Sequence, residues 1–510
     1  MASRRLLAAT TAAAIAAAAA AAAVPSSSPG RAYEVTAATA TGAAVRVVVP
    51  ASWEADDIAA AAAAIAAQQE STTSASVPFM ARCGTQLCVP NASGGANVTL
   101  RLAGANIYWL GLDENVPPGT IAYPTPFRIL DALTTAAGVM GATVVRSHTL
   151  GISTGNPLSF EPALGVFNGS ALAAADYAVY VAGTLGLRLQ IPLTDNYDYY
   201  HGSYHNFCDW LGVPPAAFYT NTTVIAAFSE YVTARLAHVN AFTGVPASAD
   251  PTIMMWETGN ELSAPTDWTA TMAALLKGAA PNQLVMDGNY GINLGSLLLA
   301  QVDAFSDHFY PPDTTRLGLD VVLTTTAGKL FVVGEFGWPT PVTPSFLAWM
   351  EGSVDGVAYD AYWSLFGHDD NYGYVQHNDG FTLHWPGDNA AMAANATLLR
   401  THAYVMSTNT APPPPAAAIT APPLVTFANA TVLAWRGTAG AATYSINAST
   451  VGPAGPFAPL CTACYTDNDT PIALPLPPNT TTAWLVVAPA NVAGVPGPVS
   501  AVVNITALAV

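Results

Sequence analysis

Eight near-continuous apolar, β-branched runs recur along one third-to-third stretch of the chain, at 100–109, 142–150, 187–194, 252–261, 283–288, 304–310, 329–337 and 357–364. Helix-like stretches separate them at 126–140, 171–185, 223–242, 265–279 and 389–406, with weaker ones at 294–302 and 344–351. A strand with one wet face alternates apolar and polar residues; a run apolar at both parities is buried on both faces, as in a parallel sheet covered by helices. Eight such strands with helical crossovers predict an α/β fold of the (β/α)8 TIM barrel type. A doubly wound open sheet is the competing topology. It carries a Gly-rich phosphate-binding turn after its first strand, whereas here Tyr108-Trp109-Leu110-Gly111 follows the first run.

The flanks divide the rest. Arg4 and Arg5 precede an alanine-rich run that ends near Ala23, the pattern of a signal peptide over 1–24. Residues 25–76 form an N-terminal extension of unassigned role, with a strand over 45–49 and a helix over 53–69 that Ser52 would cap. The barrel is bounded at 77–409. Pro412–Pro415 stiffen a linker over 410–418. Short strands at 424–427, 431–435, 443–446 and 484–489, set between Gly, Pro and Asn turns, predict a small all-β sandwich over 419–510. Its Trp435, Tyr444 and Trp484 read as core, so a fibronectin type III-like spacer is favoured over a carbohydrate-binding module. A barrel ending near residue 409 is then expected to fold and act alone.

Composition narrows the partners. Fifteen Lys and Arg stand against 33 Asp and Glu, a net charge of −18, and no basic stretch interrupts the field. A phosphate backbone would be repelled, which excludes nucleic acid. Ten N-x-[ST] sites, at Asn91, Asn97, Asn168, Asn221, Asn395, Asn429, Asn447, Asn468, Asn479 and Asn504, fit a glycosylated, secreted protein of the extracellular space or cell wall, with no membrane contact expected after signal cleavage. Cys83 and Cys88 are spaced to close one short loop, Cys461 and Cys464 another, leaving Cys208 unpaired. Neither pair has the partner ligands of a zinc site, and no metal or cofactor is expected. A monomer is expected.

In a barrel of this kind the chemistry lies at the C-terminal strand ends. Those ends carry Asn106 and Trp109, Arg146 and His148, Asp195 and Asn196, Asn260 and Glu261, His308 and Tyr310, Glu335, and Trp363. Glu261 closes the run MMWETGNE and Glu335 the run LFVVGEFG. One glutamate after an apolar run is commonly a cap or an ion-pair member. Two in one barrel, with Arg, His, Tyr and Trp at sister positions, suit glycoside cleavage, in which one carboxyl protonates the leaving oxygen and another attacks or activates water. Tryptophan faces suit sugar rings. The G-x-S-x-G of an esterase is absent. Gly367 to Asp388, dense in Asp, His and aromatics, reads as a long loop bordering the cleft, although that composition would also suit calcium or zinc. Trp256 reads as core.

These residues resemble glycoside hydrolase family five, and within it the endo-β-1,4-mannanases. DPTIMMWETGNE and VVGEFGW are similar to its acid/base and nucleophile strands, GANIYWLG to its first strand, and the stretch from Phe218 to Glu257 to its third helix and fourth strand. The resemblance implies that Glu261 is the acid/base and Glu335 the nucleophile. It implies that Asn260 bonds the sugar 2-hydroxyl, Arg146 and Tyr310 hold Glu335 ionised, His308 bonds near the acid/base, and Trp363 floors the subsite of cleavage. Trp109 and Asn196 are expected to bind substrate. Leu262 and Ser263 stand where the family has proline and often arginine. The implied activity is a secreted retaining endo-β-1,4-mannanase acting on mannan, galactomannan or glucomannan. A β-1,4-glucanase or other β-glycanase, and a glycan-binding protein without catalysis, are the rival readings. The carboxyl groups should lie about 5–5.5 Å apart, with Glu261 raised in pKa by the charge of Glu335 and Glu335 kept ionised.

Overall fold

The computed structural model describes residues 78–506 apart from 92, 430, 475, 477–479 and 481, preceded by the backbone of three short strands, Val24–Pro25, Ala32–Ala38 and Ala44–Pro50. Those three pair antiparallel, the last over the strand expected at 45–49. The signal segment up to residue 23 and the expected helix over 53–69 lie outside the described residues.

All eight apolar runs become strands: β1 Leu102–Asn106, β2 Val144–Arg146, β3 Arg188–Pro192, β4 Ile253–Glu257, β5 Leu284–Asp287, β6 Ala304–Phe309, β7 Leu330–Gly337 and β8 Tyr359–Trp363. Each is parallel to its neighbours and β8 pairs with β1, closing the barrel. The strands are almost wholly buried, which is why their sequences do not alternate. Eight helices follow in chain order: α1 Pro126–Thr134, α2 Ala173–Thr184, α3 Tyr204–Trp210, α4 Thr222–Ala237, α5 Thr266–Ala279, α6 Thr314–Thr326, α7 Thr343–Gly352 and α8 Ala390–Thr408. Their starts follow capping chemistry. Thr125, Asn221, Asp313 and Asn389 each accept backbone N–H bonds from the first turn of α1, α4, α6 and α8. The weak helix expected over 294–302 is reduced to one 3-10 turn, Ser296–Leu298. Helices α3 and α6 are not among the expected helix stretches, although α6 turns Leu317, Asp320, Val321 and Thr324 inward at helical spacing. Trp256 is fully buried in the core, as expected, its indole N–H donating to Gln283 at 2.6 Å.

Beyond the barrel, one three-stranded sheet (Leu424–Ala428, Val432–Arg436, Ile472–Ala473) faces a four-stranded one (Thr443–Ser449, Ala458–Tyr465, Thr482–Ala490, Val503–Thr506), all antiparallel. Trp435 and Tyr444 are buried in the core between them, whereas Trp484 is half-buried at the rim. Both expected disulfides form, Cys83–Cys88 and Cys461–Cys464, and Cys208 is free and buried. The sandwich rests on the barrel. Arg436 lies 3.7 Å over the Phe127 ring of α1, the Thr426 hydroxyl donates to the Asn371 carbonyl, and Asp467 lies 3.1 Å from His368. These contacts join the sandwich to α1 and to the Gly367–Asp388 loop. Among the described residues, no helix is long and apolar enough to cross a membrane.

Candidate active site

Parallel register places the functional side chains on one rim. Arg146 ends β2 opposite Asn106 of β1 and Gln190 of β3, and His308 of β6 lies opposite Glu335 of β7. Past β4 the chain stays extended between its neighbours, Asn260 N–H donating to the Thr194 carbonyl and Leu262 N–H to that of Gly288. This crossing needs Gly288, whose added Cβ would stand 1.9 Å from the Gly259 carbonyl oxygen. Glu261 follows with φ at 52°, the left-handed region a non-glycine residue rarely adopts. Such a conformation costs on the order of 1–3 kcal/mol and persists where its surroundings enforce it.

Arg146 is the hub. It is fully buried and grips Glu257 with two parallel bonds, Nε to Oε2 at 2.9 Å and Nη2 to Oε1 at 3.0 Å. It also donates to Glu335 Oε1 at 2.6 Å, Asn260 Oδ1 at 2.8 Å and Asn106 Oδ1 at 3.2 Å. Burial alone would weaken its charge, but Glu257 and Glu335 more than offset that and hold it charged. Glu257 is a third glutamate that the sequence reading passed over. Gln190 also donates to it at 2.8 Å, and Tyr359 donates to Gln190 in turn, so this layer fixes the arginine.

Glu335 takes its second bond from the Tyr310 hydroxyl at 2.9 Å. The outer edge of Tyr310 is exposed while its hydroxyl faces inward, and burial together with Glu335 keeps that hydroxyl protonated. Glu261 is held from two sides: Tyr197 donates to Oε2 at 2.7 Å, and His308 Nδ1 lies 2.6 Å from Oε1. His308 Nδ1 is also 3.6 Å from Glu335 Oε2. Ligand atoms of Glu261, His308 and Glu335 all lie within 4.8 Å of one another.

The electrostatics differ from the sequence expectation. Burial pushes the Glu335 carboxyl up, against the pull of His308, Arg146 and Tyr310. Glu261 is held below its ordinary range, because the His308 and Tyr197 bonds outweigh its burial. Burial would lower the His308 imidazole, but Glu335 and Glu261 raise it. The proton between Glu261 and His308 thus lies on the imidazole side of their hydrogen bond. The sequence reading missed this because it looked for a cation beside Glu261 in the chain, and His308 arrives from two strands away.

These groups face a cleft of about 590 Å³. Trp363 floors it, stacked on Tyr108 at 5.3 Å with an interplanar angle of 12°, and its indole N–H donates to Asp379 at 2.7 Å. The Gly367–Asp388 loop supplies His377, Asp379 and Phe381 to the wall, as expected of a loop bordering the cleft. Tyr197 and Tyr199 extend an exposed aromatic surface past Glu261. Two expected residues stand elsewhere. Trp109 is buried beneath the rim with Arg128 at 4.6 Å over its ring and Phe366 stacked against it; Tyr108 takes the place in the cleft. Asn196 is fastened through its backbone N–H to the Asn260 carbonyl, while the side chain that reaches Asn260 is that of Asp195, at 3.2 Å. The chain leaves β1 and β3 by turns, so strand parity no longer tells which residue points inward. His148, named among the strand-end residues without a role, is buried with its edge against Trp363 at 5.4 Å, and burial and Arg146 keep it neutral.

Residues 156–307 match the family described as GH family 5 beta-mannosidase-like. The chain is 29% identical over 228 residues to mannan endo-1,4-beta-mannosidase 1 of Arabidopsis thaliana, covering 42% of this chain and 51% of that protein. It is 30% identical over 214 residues to mannan endo-1,4-beta-mannosidase 1 of Oryza sativa subsp. japonica, covering 39% and 48%. The chain spans about half the length of these curated relatives. The fold superposes on the endo-1,4-beta-mannanase of Rhizomucor miehei with a TM-score of 0.53 at 21% identity, covering 64% of this chain and 99% of that one.

Proposed function

We propose that this protein is a secreted, retaining endo-β-1,4-mannanase. The observation that carries the reading is the pair Glu261 and Glu335, with oxygens within 4.8 Å across an open, tryptophan-floored cleft on a family five mannosidase-like domain. Oxygens that close fit the shorter carboxyl separation, at which the second carboxyl attacks the anomeric carbon directly. Glu335, aimed by Arg146 and Tyr310, attacks and forms a glycosyl ester as Glu261 passes its proton to the departing oxygen. Glu261, now a base, then takes a proton from the water that cleaves the ester. Asn260 spends one amide hydrogen on Asp195 and keeps one for the 2-hydroxyl of the sugar. Tyr197 and Tyr199 support the endo mode, since they offer surface to sugars beyond the scissile bond.

Reducing-sugar release on mannan, galactomannan, glucomannan and carboxymethylcellulose tests the substrate. Release from the three mannans within minutes, and none from carboxymethylcellulose, is expected; cleavage of the cellulose derivative alone would overturn the reading.

The pH dependence follows from the pair. Glu335 must be ionised, and burial raises its pKa, so activity is lost as pH falls through a value above the ordinary carboxyl of about 4.3. The proton shared by Glu261 and His308 must be present, and His308 is raised, so activity is lost as pH rises through a value above about 6.5. A bell-shaped kcat/KM profile is expected, and His308→Ala should move its alkaline limb to lower pH. An alkaline limb unmoved by that substitution would contradict the shared proton.

A further inference from the structure

The loop that walls the cleft is anchored from outside the barrel. Its first turn is held at His368, which is buried between two carboxylates. Nδ1 lies 2.9 Å from Asp131 Oδ2 of α1, whose same oxygen accepts the His368 backbone N–H at 2.9 Å, and Nε2 lies 3.1 Å from Asp467 Oδ2 of the sandwich. Asp467 is itself 2% exposed and accepts from the Tyr444 hydroxyl of the sandwich core at 3.0 Å, with the Tyr374 hydroxyl oxygen of the loop 3.4 Å away. Tyr374 stacks on His368 and on His384, and donates to the Trp385 carbonyl at 2.7 Å. His368 and Tyr374 of the loop thus meet at one sandwich carboxylate, and Tyr374 carries the link on to Trp385 near the loop's far end.

The far side of the same loop holds the reacting groups in place. Asp379 accepts the Trp363 indole N–H, and the Phe381 ring packs edge-on against Tyr310 at 5.2 Å. Tyr310 in turn donates to Glu335. Burying two carboxylates about one imidazole is costly unless all are paired, and the two aspartates keep the imidazole protonated, up to about 10, against its burial. An element of this kind is either occupied by all three partners or broken.

We propose that Asp467, in the C-terminal sandwich, is a positioning residue for glycoside cleavage, fixing through His368 and Tyr374 the loop that sets Trp363 and Tyr310. The sandwich is on this account a part of the active site and not a spacer. The inference rests on the function proposed above, since Trp363 and Tyr310 have a catalytic setting only if glycoside cleavage occurs there.

The test uses the full chain. Asp467→Asn keeps the shape of the side chain and removes its charge, and Tyr374→Phe keeps the ring and removes its hydroxyl. Arg436→Ala removes the cation over the Phe127 ring of α1 and its charge near Asp370, and is not part of the Asp467–His368–Tyr374 anchor. Two readouts are taken: kcat and KM on soluble mannan, and amide hydrogen exchange resolved by peptide. In Asp467→Asn, kcat should fall between about tenfold and a hundredfold, the range for a misplacement near 1 Å. KM should change less, and exchange should rise over 369–382 while β7 stays protected. Tyr374→Phe should show the same pattern more weakly, and it alone decides if Asp467→Asn fails to fold. Arg436→Ala should stay within about twofold in kcat. Unchanged kcat and unchanged loop exchange in both loop-anchor variants would overturn the proposal, as would an equal loss in Arg436→Ala. If the wild-type chain cleaves no mannan, the proposed function fails, and exchange over 369–382 still reports whether Asp467 orders the loop.

Discussion

Glu335→Ala should abolish turnover on every substrate, by about 10⁵-fold in kcat, on the scale seen when a covalent nucleophile is removed from a unit that works together. The loss is chemical and not structural. Glu335 gives Arg146 one bond, but Arg146 keeps its two bonds to Glu257 and one each to Asn260 and Asn106. The hub therefore survives, and the thermal unfolding midpoint should move little. Burial disfavours the ionised Glu335 carboxylate, so removing it also relieves a desolvation cost. Circular dichroism on the variant, alongside single-turnover assays, separates the two effects. A variant with more than a few per cent of wild-type kcat would show that another group attacks the sugar.

The second large effect belongs to Glu261→Ala, and it depends on the leaving group. On mannan, loss of the general acid and base should cost about 10²- to 10⁴-fold. On a dinitrophenyl β-mannobioside, whose leaving group needs no proton, the first step should survive and the glycosyl ester on Glu335 should accumulate. Added azide should then restore turnover, because it attacks without a general base. Azide should do nothing for Glu335→Ala. Rescue at position 335 and not at 261 would mean that the two roles are exchanged. The His308 contact gives a further distinction: without Glu261, the imidazole still faces Glu335 at 3.6 Å, so Glu335 remains ionised over the working range.

The barrel was legible because double burial leaves its mark on every strand. The runs at 252–261 and 329–337 are apolar at both parities because β4 and β7 touch helices outside and packed side chains within. The glutamates were legible for the same reason, since a carboxylate after such a run must meet a partner or a cavity. What the chain order hid was who those partners are. Glu257 lies four residues before Glu261 and looks like its equal in sequence, yet it is spent on Arg146. His308 reaches Glu261 across two strands and reverses the expected order of their pKa values. Tyr108 and Trp109 are neighbours, and the turn after β1 sends the tyrosine to the cleft and the tryptophan under Arg128. Asp467 lies beyond a proline cluster that reads as a boundary, and its ion pair with His368 is visible only once both domains are placed.

One measurement bears on the central claim more directly than the rest: the anomeric configuration of the sugar azide that Glu261→Ala forms from the dinitrophenyl β-mannobioside, read by proton NMR. Double displacement through Glu335 inverts the centre twice and predicts the β-azide. An α-azide would mean a single displacement, with azide taking the place of an activated water, and would contradict both the nucleophile assigned to Glu335 and the retaining mechanism.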